Sequence, residues 1–191
     1  MLEQMKQSEK SKFAEISDPK KTADIIGMSA VFIQDMSGRR EKGYTFDLKR
    51  ATSFEGDTGP YLQYAHSRLC SIEKKFIAKY YPNLVDSPIT DIIELDNINF
   101  RLLSEKETHE LAYQIGRFPY AIYNAYTYLE PSAIVSYLFD LCHSFSSANS
   151  KMHVLNAEEE TGKARLMLFH SARVVLGRGL KLLGLKPLTI M

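Results

Sequence analysis

The stretch that most restricts the fold is Ser53 to Lys75, SFEGDTGPYLQYAHSRLCSIEKK, where a glycine-bearing turn runs straight into a helix. Asp57, Thr58 and Gly59 are helix-capping residue types, and Pro60 at the first helical position has its φ preset and no amide hydrogen to leave unsatisfied. At about 100° per residue, Leu62, Ala65, Leu69, Ile72 and Phe76 form one apolar stripe that must face a core. Tyr61, Tyr64 and Arg68, at i, i+3 and i+7, form a second stripe roughly a quarter turn away. Two rings and a planar cation on the flank of a core helix are able to stack on unpaired bases. Aromatic residues at helical spacing nevertheless fill cores more often than they bind ligands, and Arg68 is what makes burial of this stripe less comfortable. The turn lacks a GK[ST] ending, which argues against a nucleotide-binding P-loop.

A chain of 191 residues with ordinary apolar content makes one or two small domains with a real core. Its two cysteines, Cys70 and Cys142, show no CxxC or Cys/His ligand spacing and read as core thiols of a reducing compartment. No apolar run reaches the length of a membrane span, and MLEQMKQSEKSK carries no hydrophobic segment after its charges, so a soluble intracellular chain is expected. The net charge is only +1, but its distribution is uneven. Asp86 to Glu110 is acid-rich, whereas after Glu160 only bases remain, at Lys163, Arg165, Arg173, Arg178, Lys181 and Lys186. That asymmetry implies a basic face suited to a phosphate backbone, or else a helix whose bases merely solvate its outer side.

In chain order, residues 2 to 17 read as an exposed connecting helix, and Asp18–Pro19 restart the chain as N-cap and N1 of a packed helix over Thr22 to Met36. SGRREKG is a loop, Tyr44 to Phe46 alternate like a short strand near residues 43–47, and Leu48 to Phe54 leads as a helix into the turn. Pro82 and Pro88 break the chain after the long helix. Leu102 to Arg117 is amphipathic, and Pro119 opens a helix whose Tyr120, Tyr123, Tyr126 and Tyr128 are expected to bury their rings. Ala133 to Ser147 reads as strongly buried. Glu158 to Glu160 open a last long helix, in which Gly177 and Gly179 imply close approach of another backbone or of the loop at 53–59. Gly184 and Pro187 stop it, leaving Leu188 to Met191 as a tail with docking character.

The run FEGDTGPYLQYAHSR, preceded by IIGMSAVFIQDMSGRREKGYTFDLKRATS and followed far downstream by ARLMLFHSARVVLGRGLKLLGL and a final Met191, resembles the carboxy-terminal region of class I arginyl-tRNA synthetases. The resemblance implies a mainly α fold: residues 1–50 as a connector from a catalytic domain and 51–191 as a helical, DALR-type anticodon-binding domain. It implies tRNA-anticodon contacts for Asp57, Thr58, Tyr61, Tyr64, Arg68 and Met191. The pattern departs where the family often carries two aromatic residues, at positions held here by Asn149 and His153, which puts the contacts of that corner in doubt. Partners implied are the anticodon loop of arginine tRNA and the catalytic domain of the same protein, with no membrane, a monomeric state, and a cytoplasmic location that admits a mitochondrial pool.

No residues of the chain point to catalysis. The five histidines are scattered without HExxH or Cys/His pairing, and no nucleophile elbow or metal site is visible. The HIGH and MSKS-type signatures with which class I synthetases hold ATP are absent; the resemblance implies ATP with magnesium as a cofactor of a full-length enzyme, and none is expected for this stretch. All arginine codons have G in the middle, so the reader must be strict at one cytosine and tolerant at the next base. Glycines at 56 and 59 allow backbone to approach that cytosine, and stacking supplies the tolerance. The alternative from a different class is a free-standing helical protein-interaction module derived from the same fold. The equivalent domains of cysteinyl- and methionyl-tRNA synthetases share the helical design but not the FEGDTGPYLQYAHSR run.

Overall fold

A computed structural model describes residues 1–7 and 13–191. Helices account for its regular structure: α1 (Leu2–Gln7), α2 (Pro19–Met36), α3 (Leu48–Ala51), α4 (Gly59–Tyr80), α5 (Ile89–Ile92), α6 (Lys106–Gly116), α7 (Phe118–Tyr128), α8 (Ser132–Lys151) and α9 (Glu159–Leu182). Short 3-10 turns lie at Phe13–Glu15, Pro82–Leu84, Leu95–Asn97 and Phe100–Leu102.

Two of the long helices, α2 and α4, start where capping chemistry puts them. The Asp18 side chain accepts from the Lys21 amide at 3.0 Å, one residue ahead of Pro19. Thr58 accepts from the Tyr61 amide at 3.2 Å, one residue ahead of Gly59–Pro60. Each such cap is worth about 1 kcal/mol. The apolar stripe of α4 is buried along its whole length, from Leu62 to Phe76. It packs against α2 and α9, while α8 lies on α6, α7 and α9. α4 and α9 run antiparallel: Phe76 meets Gly162, and His66 meets Gly177. The main core draws its large side chains from these helices, with Phe145 edge-on to Phe169 at 5.2 Å. A second cluster joins Met5, Ala23 and Ile26 to Phe54 and to the tail residues Leu188 and Met191. The last residues of the chain are thereby built into the packing of the first two helices.

Several expectations are corrected. Residues 43–47 form no strand, because no second strand lies beside them; the described residues contain no strand at all, and the Tyr44 hydroxyl instead donates to Asp35 at 2.9 Å. The helix into the turn is a single turn, Leu48–Ala51, ended as Thr52 Oγ1 donates back to the Leu48 carbonyl at 2.7 Å. The amphipathic helix begins only at Lys106. Of the proposed connecting helix, residues 8–12 lie outside the described residues; α1 has Met5 fully buried between exposed neighbours. Gly177 and Gly179 make room for side chains, His66 and Leu138, rather than for a backbone or for the loop at 53–59. The backbone contact is at Gly59, where a Cβ would collide with the Ser29 carbonyl of α2. That glycine is therefore required by packing against α2, whereas a Cβ at Gly56 would meet nothing within 4 Å.

The tyrosines of α7 also differ from expectation. Tyr120, Tyr123, Tyr126 and Tyr128 are between 61% and 78% exposed, because α7 turns Phe118 and Ala121 towards α8 and needs no more of its circumference for the core. Cys142 is fully buried and Cys70 partly so; burial pushes the Cys70 thiol up to about 11.

Candidate nucleic-acid interface

The turn before α4 is held by its own hydrogen bonds. Ser53 Oγ accepts from the Glu55 amide at 3.0 Å, Gly56 adopts φ +77°, and Thr58 Oγ1 donates to the Ser53 carbonyl at 2.7 Å. Thr58 is 5% exposed and its hydroxyl both donates and accepts within the chain, so its part is to shape the turn. Asp57 is exposed and meets His143 of α8, Oδ1 to Nε2, at 2.9 Å. The His143 ring lies 5.9 Å from that of Tyr61, whose hydroxyl is 3.2 Å from Ser146 Oγ. Partial burial raises the Tyr61 pKa, so the phenol stays protonated and able to donate. Asp57 and Tyr61 are thus brought together through α8.

Tyr64, Arg68 and Met191 are brought together in a separate place. They line one cleft of about 590 Å³ along α4, with Lys74 and Lys75 on the same wall and Thr189 and Ile190 opposite. The tail reaches that position because two polar residues of α4 hold it. Gln63, fully buried, accepts from the Leu188 amide at 2.9 Å and donates to the Lys186 carbonyl at 3.0 Å and to Ser29 at 2.9 Å. The Leu188 carbonyl lies 2.8 Å from His66 Nδ1. Burial lowers the His66 pKa, so the ring is neutral and its Nδ1–H donates. Met191 is 2% exposed and forms a wall of the cleft rather than a projecting tip.

Asn149 and His153 stand apart from both groups. Asn149 is half-buried one turn beyond Ser146, and His153 is exposed between α8 and α9, with its carbonyl accepting from Arg165 at 3.4 Å. The basic face expected from the end of the chain is half dismantled by pairing. Lys163 binds Glu159 and Glu160, Arg165 binds Glu105, and Arg173 binds Glu73. The cations beside the tyrosine are supplied instead by α4 itself, at Arg68, Lys74 and Lys75. Among the described residues no group of three or more His, Cys, Asp or Glu is placed to hold a metal ion, and no helix is long and apolar enough to cross a membrane.

Sequence reasoning missed Gln63, His66, His143 and Lys74. His66 had a signal: it falls about 40° from Leu62, inside the apolar stripe, where a polar side chain must find a partner. His143 had none, since its role depends on how α8 meets the turn.

The DALR anticodon binding domain family matches residues 62–191. The chain belongs to that family. The match begins one residue after Tyr61, so the turn itself is matched only through longer relatives. The probable cytoplasmic arginine–tRNA ligase of Dictyostelium discoideum is 47% identical over the whole of this chain, which spans 30% of that protein. The cytoplasmic arginine–tRNA ligase of Saccharomyces cerevisiae is 44% identical, again over 30% of its length. Among solved structures, Thermus thermophilus arginyl-tRNA synthetase superposes with a TM-score of 0.80 at 25% identity, covering all of this DALR chain and 31% of its own.

Proposed function

We propose that this DALR domain reads the anticodon loop of arginine tRNA within an arginine–tRNA ligase whose catalytic domain, with ATP and magnesium, supplies the aminoacylation. The observation that carries the reading is the convergence of Tyr64, Arg68 and Met191 on one cleft, although Met191 lies 127 positions beyond Tyr64 in the chain. Tyr64 offers a stacking face worth about 1 to 3 kcal/mol per base. Arg68 offers paired donors for the O2 and N3 acceptors of cytosine, the base that every arginine anticodon carries in the middle. Asp57, held by His143 near Tyr61, presents a carboxylate able to accept from an exocyclic amine, and Thr58 positions it. Asn149 and His153 stand apart from this cleft and take no part in the reading. The partners are one tRNA and the catalytic domain of the same protein, acting as a monomer in the cytoplasm, with a mitochondrial pool as a further use.

The test is binding of this chain, at fixed salt, to an arginine tRNA and to the same tRNA with the middle anticodon cytosine replaced by uracil. The replacement turns the N4 donor into an acceptor and is expected to weaken binding by about 1 to 3 kcal/mol, the scale of one bidentate base contact. Equal dissociation constants would reject the reading in favour of the protein-interaction module.

A further inference from the structure

A second, broader cleft of about 730 Å³ lies between α4, the 85–90 link and the middle of α9, and it shares Cys70, Lys74 and Thr189 with the cleft that holds Tyr64 and Arg68. At its floor stands a cluster that α4 and α9 build together. Glu73 Oε1 accepts from Arg173 Nε at 2.7 Å and lies 3.0 Å from His170 Nδ1, with the Glu73 and His170 side chains only 12% and 13% exposed. Arg173 Nη2 is 3.4 Å from the same histidine nitrogen. The Arg173 side chain is 27% exposed and lines the cleft.

A guanidinium anchored through Nε has its rotamers fixed, and its remaining N–H donors, beside His170 and Cys70, stand at the wall of the cleft. That arrangement suits a phosphodiester, whose two oxygens match the fork and whose binding then costs little ordering entropy. A staple between two helices would need no open cleft above it, no second cation and no ring of hydroxyls. Lys74 supplies that cation on the wall shared with the neighbouring cleft, and Ser87, Thr90 and Thr189 surround the opening. Asp86 on the rim is exposed, so its repulsion is screened by salt, and its carboxylate is an acceptor for a ribose 2′-hydroxyl.

We infer that this second cleft is a phosphoribose subsite, in which Arg173 and Lys74 hold the phosphate linking the base in the Tyr64–Arg68 cleft to the adjacent nucleotide. The inference rests on the anticodon reading above and extends it by one nucleotide. A strand leaving the first cleft over Cys70 and Thr189 reaches Arg173 without leaving the groove. Contacts here are to backbone, so they add affinity and hold the register while carrying no information about base identity.

The test places a neutral methylphosphonate at each of the two linkages flanking the middle anticodon base of an anticodon stem-loop RNA. One of the two substitutions is expected to weaken binding about tenfold. The penalty for the same substitution should be clearly smaller in Arg173→Gln, or in Lys74→Gln, which alters an exposed side chain and keeps the experiment alive where the Arg173 variant does not fold. The two changes combined should also lower the slope of log K against log salt by about 0.7, the value for one single-strand phosphate, and each variant by a part of that. Discrimination between cytosine and uracil at the middle base should persist in both. Insensitivity to both neutral linkages, or penalties that simply add in the variants, overturns the inference alone. Absence of base discrimination by the unaltered chain removes the anticodon reading and this subsite with it.

Discussion

Two helices of this domain carry tyrosines at helical spacing, and they use them in opposite ways. In α4, Tyr61 and Tyr64 are half-buried, Tyr61 against Ser146 and His143 and Tyr64 in the cleft with Arg68 and Met191. In α7, Tyr120, Tyr123, Tyr126 and Tyr128 stand out from the surface, most of each ring exposed. The difference lies in what surrounds each helix. α4 is packed against α2 on one side and α9 on another, so its flank becomes the wall of a cleft. α7 meets α8 and little else, so its flank is simply outside. A ring becomes a recognition surface when a second element faces it and a cation stands beside it.

The largest test of that contrast concerns how each helix is seated. Gly59 opens α4 against the Ser29 carbonyl, whereas a Cβ at Gly116, just ahead of α7, would meet nothing within 4 Å. Gly59→Ala must push α4 off α2 and is expected to cost more than about 3 kcal/mol. Gly116→Ala should add about 0.5 to 1 kcal/mol through lower backbone entropy in the unfolded chain. Midpoints of urea unfolding measure both. A tolerated alanine at 59 would show that the α2–α4 contact gives way easily, and the two helices would lose their main structural distinction.

A smaller effect separates the aromatic faces by function. Tyr64→Ala is expected to weaken arginine-tRNA binding by about 1 to 3 kcal/mol, as for a lost stacking partner. The pair Tyr120→Ala and Tyr123→Ala, made together, should leave the dissociation constant where it was. The reverse result would move the RNA surface to α7 and turn the comparison round.

The fold was legible wherever it depends on one segment. The Asp18–Pro19 and Thr58–Pro60 starts and the Leu62–Phe76 stripe follow from capping and periodicity, and all are found. What depends on two distant segments was not legible. The 43–47 strand failed because alternation describes one strand and a sheet needs two. The α7 tyrosines were misjudged because a helix period cannot say how much of the circumference its neighbours cover. Of the candidate site, Tyr64, Arg68 and Met191 line one cleft, but the residues that bring the tail there, Gln63 and His66, follow only from its path.

That path provides the smallest and most specific test, since it hangs partly on one titrating ring and α7 has no group that changes charge between pH 5 and 8. His66 is 4% exposed, and burial holds its pKa below the ordinary value of 6.5. The unfolded chain therefore binds the proton first as the pH falls. The contribution of the neutral ring is complete above the unfolded pKa, near pH 6.5, and is lost progressively below it, with a slope of at most about 1.4 kcal/mol per pH unit for one proton. His66→Asn keeps an N–H for the Leu188 carbonyl and removes the titration. Thermal unfolding of the two proteins from pH 7.5 to 5.0 should give curves that run together above pH 6.5 and diverge below it, the histidine form falling faster. Parallel curves throughout would mean that His66 does not bear on stability as a neutral donor, and the tail would then owe its place on α4 to Gln63 and to the packing of Leu188 and Met191 alone.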